Sequence, residues 1–177
     1  DQRRSAEAIN FGLIYGISAF GLSKQLGINR NLAAEYMDTY FSRYPRVRKY
    51  MDRIKSEAKK TGYVETLYGR RLYLPEISTG NAIRRQAAER VAINAPVQGT
   101  AADIMKKAML SVSDSLKKQK IDAKLILQVH DELVVESHEK DTEKVTKILT
   151  DSMSKAAKLS VPLEVEIGIG KNWDQAH

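Results

Sequence analysis

Lys124-Leu-Ile-Leu-Gln-Val-His-Asp-Glu-Leu-Val-Val-Glu136 is the stretch on which the fold turns. Two runs rich in Leu, Ile and Val flank a polar centre, His130-Asp131-Glu132, and predict two strands meeting at a tight turn. Upstream, the punctuation is mainly helical. Residues 18–26 read as a short helix stopped by Gly27, and 31–41 as an amphipathic one with Leu32, Tyr36, Met37 and Tyr40 on one side. Pro45 suits the first turn of a helix running to Lys60, with Gly62 as its stop. Residues 63–74 predict a hairpin around Tyr68-Gly69. A helix over 81–93 is expected to break at Pro96, and a long helix over 98–119 to turn Ile104, Ala108 and Ser111-Val112 toward a core. Downstream, a charged helix over 141–159 precedes a strand over 163–168. The expected class is α+β, with a boundary near Asn94–Pro96 that divides a helical subdomain, 1–95, from a hairpin, helix and strand subdomain, 96–177.

Composition narrows the function. With 177 residues the chain can bury one sizeable core or two small ones. Without cysteine, neither disulfides nor thiolate metal sites are available. No apolar run nears the roughly 20 residues of a membrane span and no signal-peptide pattern opens the chain, so a soluble, cytoplasmic protein with no membrane partner is expected. It begins with Asp inside a functional-looking helix, which suggests a piece of something longer. Net charge is +7, unevenly placed: residues 1–95 hold 17 Lys and Arg against 9 Asp and Glu, and residues 96–177 hold 12 against 13. All 12 arginines lie in the first part. Arginine suits bidentate phosphate contacts, so that part reads as a polyanion-facing surface; a solvated basic surface is the plainer alternative.

The first sixteen residues, Asp1-Gln-Arg-Arg-Ser-Ala-Glu-Ala-Ile-Asn-Phe-Gly-Leu-Ile-Tyr-Gly16, carry Arg3, Glu7, Phe11 and Tyr15 four apart. At about 100° per residue, steps of four drift only about 40°, so on a helix these share one stripe. A cation near the start and two rings beside Gly12 and Gly16 suit a ligand with phosphates at one end and a flat base at the other, a nucleotide. Asp131 and Glu132, adjacent carboxylates between apolar strands, are a common way to hold Mg²⁺, although an ordinary charged turn, with His130 idle, fits them too. Arg90, Asn94 and Gln98 form a polar i, i+4, i+8 series able to donate to minor-groove acceptors, if the helix continues past Pro96; helix-surface polarity is the alternative. Arg70 and Arg71 follow a turn, and Arg84 and Arg85 open a helix; each pair could touch a phosphate backbone or sit as exposed charge.

Together these pieces resemble family A DNA polymerases. The family's fingers motif, Arg-x3-Lys-x3-Phe-Gly-x2-Tyr-Gly, is matched by Arg3, Phe11, Gly12, Tyr15 and Gly16, and its palm motif, His-Asp-Glu between apolar strands, by Gln128-Val-His-Asp-Glu-Leu-Val-Val135. Arg90-Val-Ala-Ile-Asn-Ala-Pro-Val-Gln-Gly-Thr-Ala-Ala-Asp103 and Gly170-Lys-Asn-Trp-Asp-Gln-Ala-His177 are also similar to that family. Several motifs in the right order, over essentially the whole chain, are more specific than any one. The resemblance implies a helical fingers subdomain followed by part of a palm. It implies that Arg3 contacts the triphosphate of an incoming deoxynucleoside triphosphate, that Phe11 packs on its sugar and base, and that Tyr15 lies near the templating base. It implies that Asp131 is one of two metal-binding aspartates, with Glu132 its less critical neighbour, that His130 lies near the primer end, and that Arg90, Asn94 and Gln98 touch primer-template DNA in the minor groove. The implied reaction is attack of a primer 3′-hydroxyl on the α-phosphorus with two Mg²⁺.

Two departures matter. Glu7 stands where the family pattern has lysine. Two unit charges about 4 Å apart interact by about 1 kcal/mol in water and several-fold more in a partly buried site, and about 1.36 kcal/mol is a decade in rate; the reversal predicts defective incorporation. Second, no segment matches the strand with the other metal-binding aspartate, nor the thumb, so the chain alone is expected to be inactive and to need upstream palm and thumb segments as partners. A non-catalytic DNA-binding module derived from a polymerase is the competing expectation; a helical protein-interaction domain explains neither the arginine segregation nor the carboxylate tip.

Overall fold

The computed structural model describes residues 9–10 and 12–176. Arg3, Glu7 and Phe11, with Asp1 and His177, lie outside them. Residues 9–10 and 12–14 are helical and lead into a turn at Tyr15-Gly16. Ser18 caps α1 (Ala19–Leu26): its hydroxyl accepts from the Gly21 amide at 3.1 Å, and Gly27 closes the helix in the left-handed region at φ 67°. Asn29 caps α2 (Arg30–Arg43) by accepting from the Leu32 amide at 2.8 Å. α3 (Pro45–Thr61) starts on Pro45 and stops at Gly62, φ 79°. Its Gly stop releases the chain into β1 (Tyr63–Glu65), which pairs antiparallel with β2 (Arg71–Tyr73), Val64 opposite Leu72.

A 3-10 turn, Pro75–Ser78, leads to Asn81, whose side-chain oxygen accepts from the Ile83 and Arg84 amides at the start of α4. Here the structure corrects the expected break. α4 is a single helix of 37 residues, Ala82–Lys118, with Pro96 inside it. An interior proline costs about 3 kcal/mol. On one side of Pro96, Ala88 and Ala92 are buried; on the other, Ala108, Val112 and Leu116 are. Each side buries its stripe in the core of its own unit, and the helix runs on through the proline.

Two compact units divide the chain, 1–100 and 101–177, and α4 contributes to both. In the first unit, Ile54 and Ala58 of α3, Val64 and Leu74 of the hairpin, Ile77, and Ala88 and Ala92 of α4 form one core. Leu13, Leu22, Ala33 and Phe41 form a second, with Met37 and Tyr40 packed against it. Tyr36, expected on the inner side of α2, is 41% exposed, because the stripe that packs inward runs through Ala33, Met37, Tyr40 and Phe41.

In the second unit, β3 (Ala123–Val129) pairs antiparallel with β4 (Glu132–Ser137), and a bulge between Leu125 and Leu127 leaves Ile126 without an opposite residue. The bulge puts both Ile126 and Leu127 on the surface. α5 (Thr142–Ser154) lays Val145, Ile148 and Leu149 against Val112 and Leu116. It ends at Ser154 rather than near 159, its last turn closing through the Ala156 amide on Met153. Ser111, expected inward, is exposed, one step off the buried Ala108 and Val112 stripe. Residues 163–168 form no strand: only Ile167 joins the packed cluster, and no described strand pairs with them. A short terminal helix, α6 (Trp173–Ala176), follows. The secondary structure is α+β, with helices and two small antiparallel sheets, and no described helix is long and apolar enough to cross a membrane.

Candidate nucleic-acid interface and carboxylate tip

Because α4 continues through Pro96, the series Arg90, Asn94, Gln98 stays on one helical face. All three line a groove of about 430 Å³ whose apolar surfaces come from Leu72 of β2 and from Ala87, Val91 and Ala95. The groove therefore pairs a cation and two amides with a smooth wall. Asn94 supplies its least satisfied atom: the buried side-chain oxygen has no hydrogen-bond donor among the described residues. Buried acceptors are normally paired; this one is covered by protein atoms and does not open onto the groove.

The end of the first helical segment reaches this face. Gly16 adopts φ 72°, and a Cβ there would sit 3.4 Å from Ile93 Cδ1 and 3.5 Å from the Arg90 side chain. Glycine thus permits both the left-handed turn and the close approach. Tyr15, immediately before it, is 39% exposed. The fold brings Tyr15-Gly16 and Arg90 together from opposite ends of the unit. Tyr50 steadies the same stretch of α4 by donating its hydroxyl to the Ile93 carbonyl at 3.0 Å; burial pushes this phenol above its ordinary value, against an opposing pull from Arg53.

The other described arginines singled out by sequence, Arg70, Arg71, Arg84 and Arg85, have partners within the chain. Arg71 Nε donates to Glu65 Oε1 at 2.7 Å, and its guanidinium lies 4.4 Å from the centroid of the Tyr63 ring. The bond to Glu65, then one to Tyr73, hold that guanidinium above its ordinary range. Arg84 pairs with Glu76 at 2.8 Å. Arg85 donates to the Thr79 carbonyl at 2.9 Å, and Arg70 to the Gly99 carbonyl at 2.9 Å. None of the four arginines expected at a phosphate backbone lines the groove, whereas Arg90, expected at the minor groove, does. The groove's apolar half has one local signal in the sequence, Ala87, Val91 and Ala95 standing four apart beside the polar series.

The carboxylate tip belongs to the second unit. Val129 pairs with Glu132, so His130-Asp131 is a two-residue loop, with His130 at φ 50°. A non-glycine residue there is strained. Gln128 steadies it, its side-chain amide donating to the His130 carbonyl at 2.6 Å. Asp131 and His130 are exposed and Glu132 half-buried. Among the described residues no three His, Cys, Asp or Glu side chains gather as a metal cage. The donor set suits Mg²⁺ in kind, a hard oxygen ligand in reach of water, but supplies only part of a coordination shell. It fits an ion that takes its other ligands from phosphate and from carboxylates elsewhere.

The comparisons with known proteins agree with one another. The model of DNA polymerase family A matches residues 1–175. DNA polymerase I of Pseudomonas aeruginosa is 60% identical over 177 residues, covering 100% of this chain and 19% of that protein. DNA polymerase I of Geobacillus stearothermophilus is 47% identical over 176 residues, covering 99% of this chain and 20% of that protein. Among solved structures, the POL domain of Pol1 from M. smegmatis, in complex with DNA primer-template and dNTP, aligns with a TM-score of 0.96 at 44% identity over 98% of this chain and 31% of that one. The chain thus spans about a fifth of the length of the curated relatives it matches.

Proposed function

The chain belongs to DNA polymerase family A, and from that premise we propose that it supplies the fingers and the C-terminal part of the palm to a template-directed DNA polymerase. The observation that carries this reading is the groove in which Arg90, Asn94 and Gln98 share one face of an unbroken helix with Gly16 packed against it. A nucleic-acid minor groove offers acceptors on every base pair and, on G·C, an amino donor. Arg90 and the amide nitrogens of Asn94 and Gln98 serve the acceptors. The side-chain oxygen of the exposed Gln98 suits the donor. Tyr15, at the same end, lies where a templating base would be met, and Arg3 and Phe11 belong to the incoming nucleotide by their place in the motif.

In the second unit, Asp131, with Glu132 beside it, would hold Mg²⁺. When bound with a second ion, the metal stabilises the attacking 3′-hydroxyl oxygen and the leaving phosphate oxygen. The chain's own contribution is orientation: Gln128 fixes the His130 carbonyl, and through it the direction in which Asp131 leaves the turn. The other metal-binding carboxylate and the thumb belong to segments beyond this chain. The parts 1–95 and 96–177 take the fingers and palm roles.

The test is single-nucleotide primer extension with Mg²⁺ by the full-length polymerase carrying Asp131→Asn. Extension should be lost while primer-template affinity is kept; extension at the parent rate would refute the assignment. A second reading, a DNA binder that has lost catalysis, is favoured by one feature, Glu7 in place of lysine. Extension by the Glu7 parent decides between the two.

A further inference from the structure

The loop 66–70 of the first hairpin is built to sit on α4 directly after Pro96. Thr66 organises the loop: its amide donates to the Arg70 carbonyl at 2.9 Å, and its hydroxyl accepts from the Arg70 amide at 3.2 Å. The loop then reaches the helix at two points. The Leu67 amide donates to Thr100 Oγ1 at 2.9 Å, and Arg70 Nη2 donates to the Gly99 carbonyl at 2.9 Å. Thr100 is itself oriented, since its hydroxyl donates to the Pro96 carbonyl at 2.5 Å. Gly99 makes the approach possible: a Cβ there would lie 2.7 Å from Thr66 Cγ2 and 3.2 Å from Arg70 Nη2.

These contacts lie one residue from Gln98, and β2, which leaves this loop, carries Leu72 in the groove wall. We infer that Arg70, Gly99 and Thr100 form a latch that sets the separation between the Leu72 wall and the Arg90, Asn94, Gln98 face, so that Arg70 is a positioning residue and not a phosphate contact. The inference rests on the groove's being the duplex-facing surface. It requires no new charge at the nucleic acid: the guanidinium is spent on a helix carbonyl. A displaced loop widens the groove and weakens duplex binding without altering the number of phosphates neutralised.

That distinction is measurable. A residue that neutralises a phosphate contributes about 0.9 to the slope of log affinity against log salt, whereas a positioning residue contributes nothing. Duplex primer-template binding by the full-length polymerase is measured by fluorescence anisotropy across a salt series. Thr100→Val and Arg70→Met are each expected to weaken binding about five-fold, with the salt slope unchanged and kcat at saturating DNA unchanged. The double variant should be no weaker than either single. Thr100→Ser, which keeps the hydroxyl, should bind as the parent does. A slope lower by about one for Arg70→Met, or parent-like binding by both Arg70→Met and Thr100→Val, overturns the latch. If Thr100→Val misfolds, the exposed Arg70→Met decides alone. Arg90→Ala separates the two levels: parent affinity there refutes the groove reading itself, while loss there with no effect of the latch variants refutes only the latch.

Discussion

Replacing Gly99 by alanine sets two magnitudes against each other. Gly99 lies inside α4, and alanine is about 1 kcal/mol better than glycine in a helix interior, so helix propensity alone predicts a more stable protein. The structure predicts the opposite. The new Cβ would lie 2.7 Å from Thr66 Cγ2, and Thr66 cannot simply rotate, because its hydroxyl accepts from the Tyr68 and Arg70 amides. The loop must therefore lift, and the Arg70–Gly99 and Leu67–Thr100 bonds stretch with it. Each is solvent-exposed, so about 1 kcal/mol for the neutral bond and about 1.5 kcal/mol for the one with a charged donor is a fair scale. Against the propensity gain, the local net loss is about 1–2 kcal/mol, a factor of roughly 5–30 in the open population. Hydrogen exchange reads this directly at the Leu67 amide, whose acceptor is Thr100 Oγ1. Amides 66–70 should exchange roughly 5–30 times faster in Gly99→Ala, with exchange in α5 unchanged. Unchanged or slower exchange at 66–70 would show that the loop absorbs the methyl group, and the close-approach reasoning would fail.

Three further outcomes are expected. Glu7→Lys in the full-length polymerase should raise the single-nucleotide incorporation rate by a decade or more, since about 1.36 kcal/mol suffices for each; an unchanged rate would show that the triphosphate is neutralised by other groups. Tyr50→Phe removes the donor to the Ile93 carbonyl and should cost about 1 kcal/mol, seen as faster exchange across α3 and the adjoining turn of α4; unaltered protection would mean the bond contributes nothing net. Gly62→Ala and Gly168→Ala make a pair: at Gly62, φ 79° with open space around it, only the left-handed backbone is penalised, about 1–2 kcal/mol. At Gly168 a Cβ would overlap the Ala176 carbonyl. Only Gly168→Ala should therefore shift Trp173 fluorescence, and a silent spectrum would refute that packing.

Much of the local structure is written in short-range chemistry. Ser18 and Asn29 begin their helices because a side-chain oxygen can reach an amide three residues on; Gly27 and Gly62 end theirs because only glycine enters the left-handed region without strain. Two apolar runs around His130-Asp131 had to form a hairpin, and Pro45 had to open a helix, whatever else the chain did. The family was legible for the same reason: its motifs are contiguous, and Arg90, Asn94 and Gln98 stand four apart in the sequence itself. What the tertiary structure decided lies where distant segments compete. Pro96 argues locally for a break, yet α4 runs unbroken from Ala82 to Lys118. Nothing near Arg71 or Arg84 in the sequence says that each closes on a glutamate, Glu65 across the hairpin and Glu76 in the preceding turn, nor that Arg70 takes a carbonyl 29 positions away. An arginine chooses among partners by their distance in space, and periodicity carries no information about that. The caps were set residue by residue, whereas the groove exists only because the hairpin is held against α4.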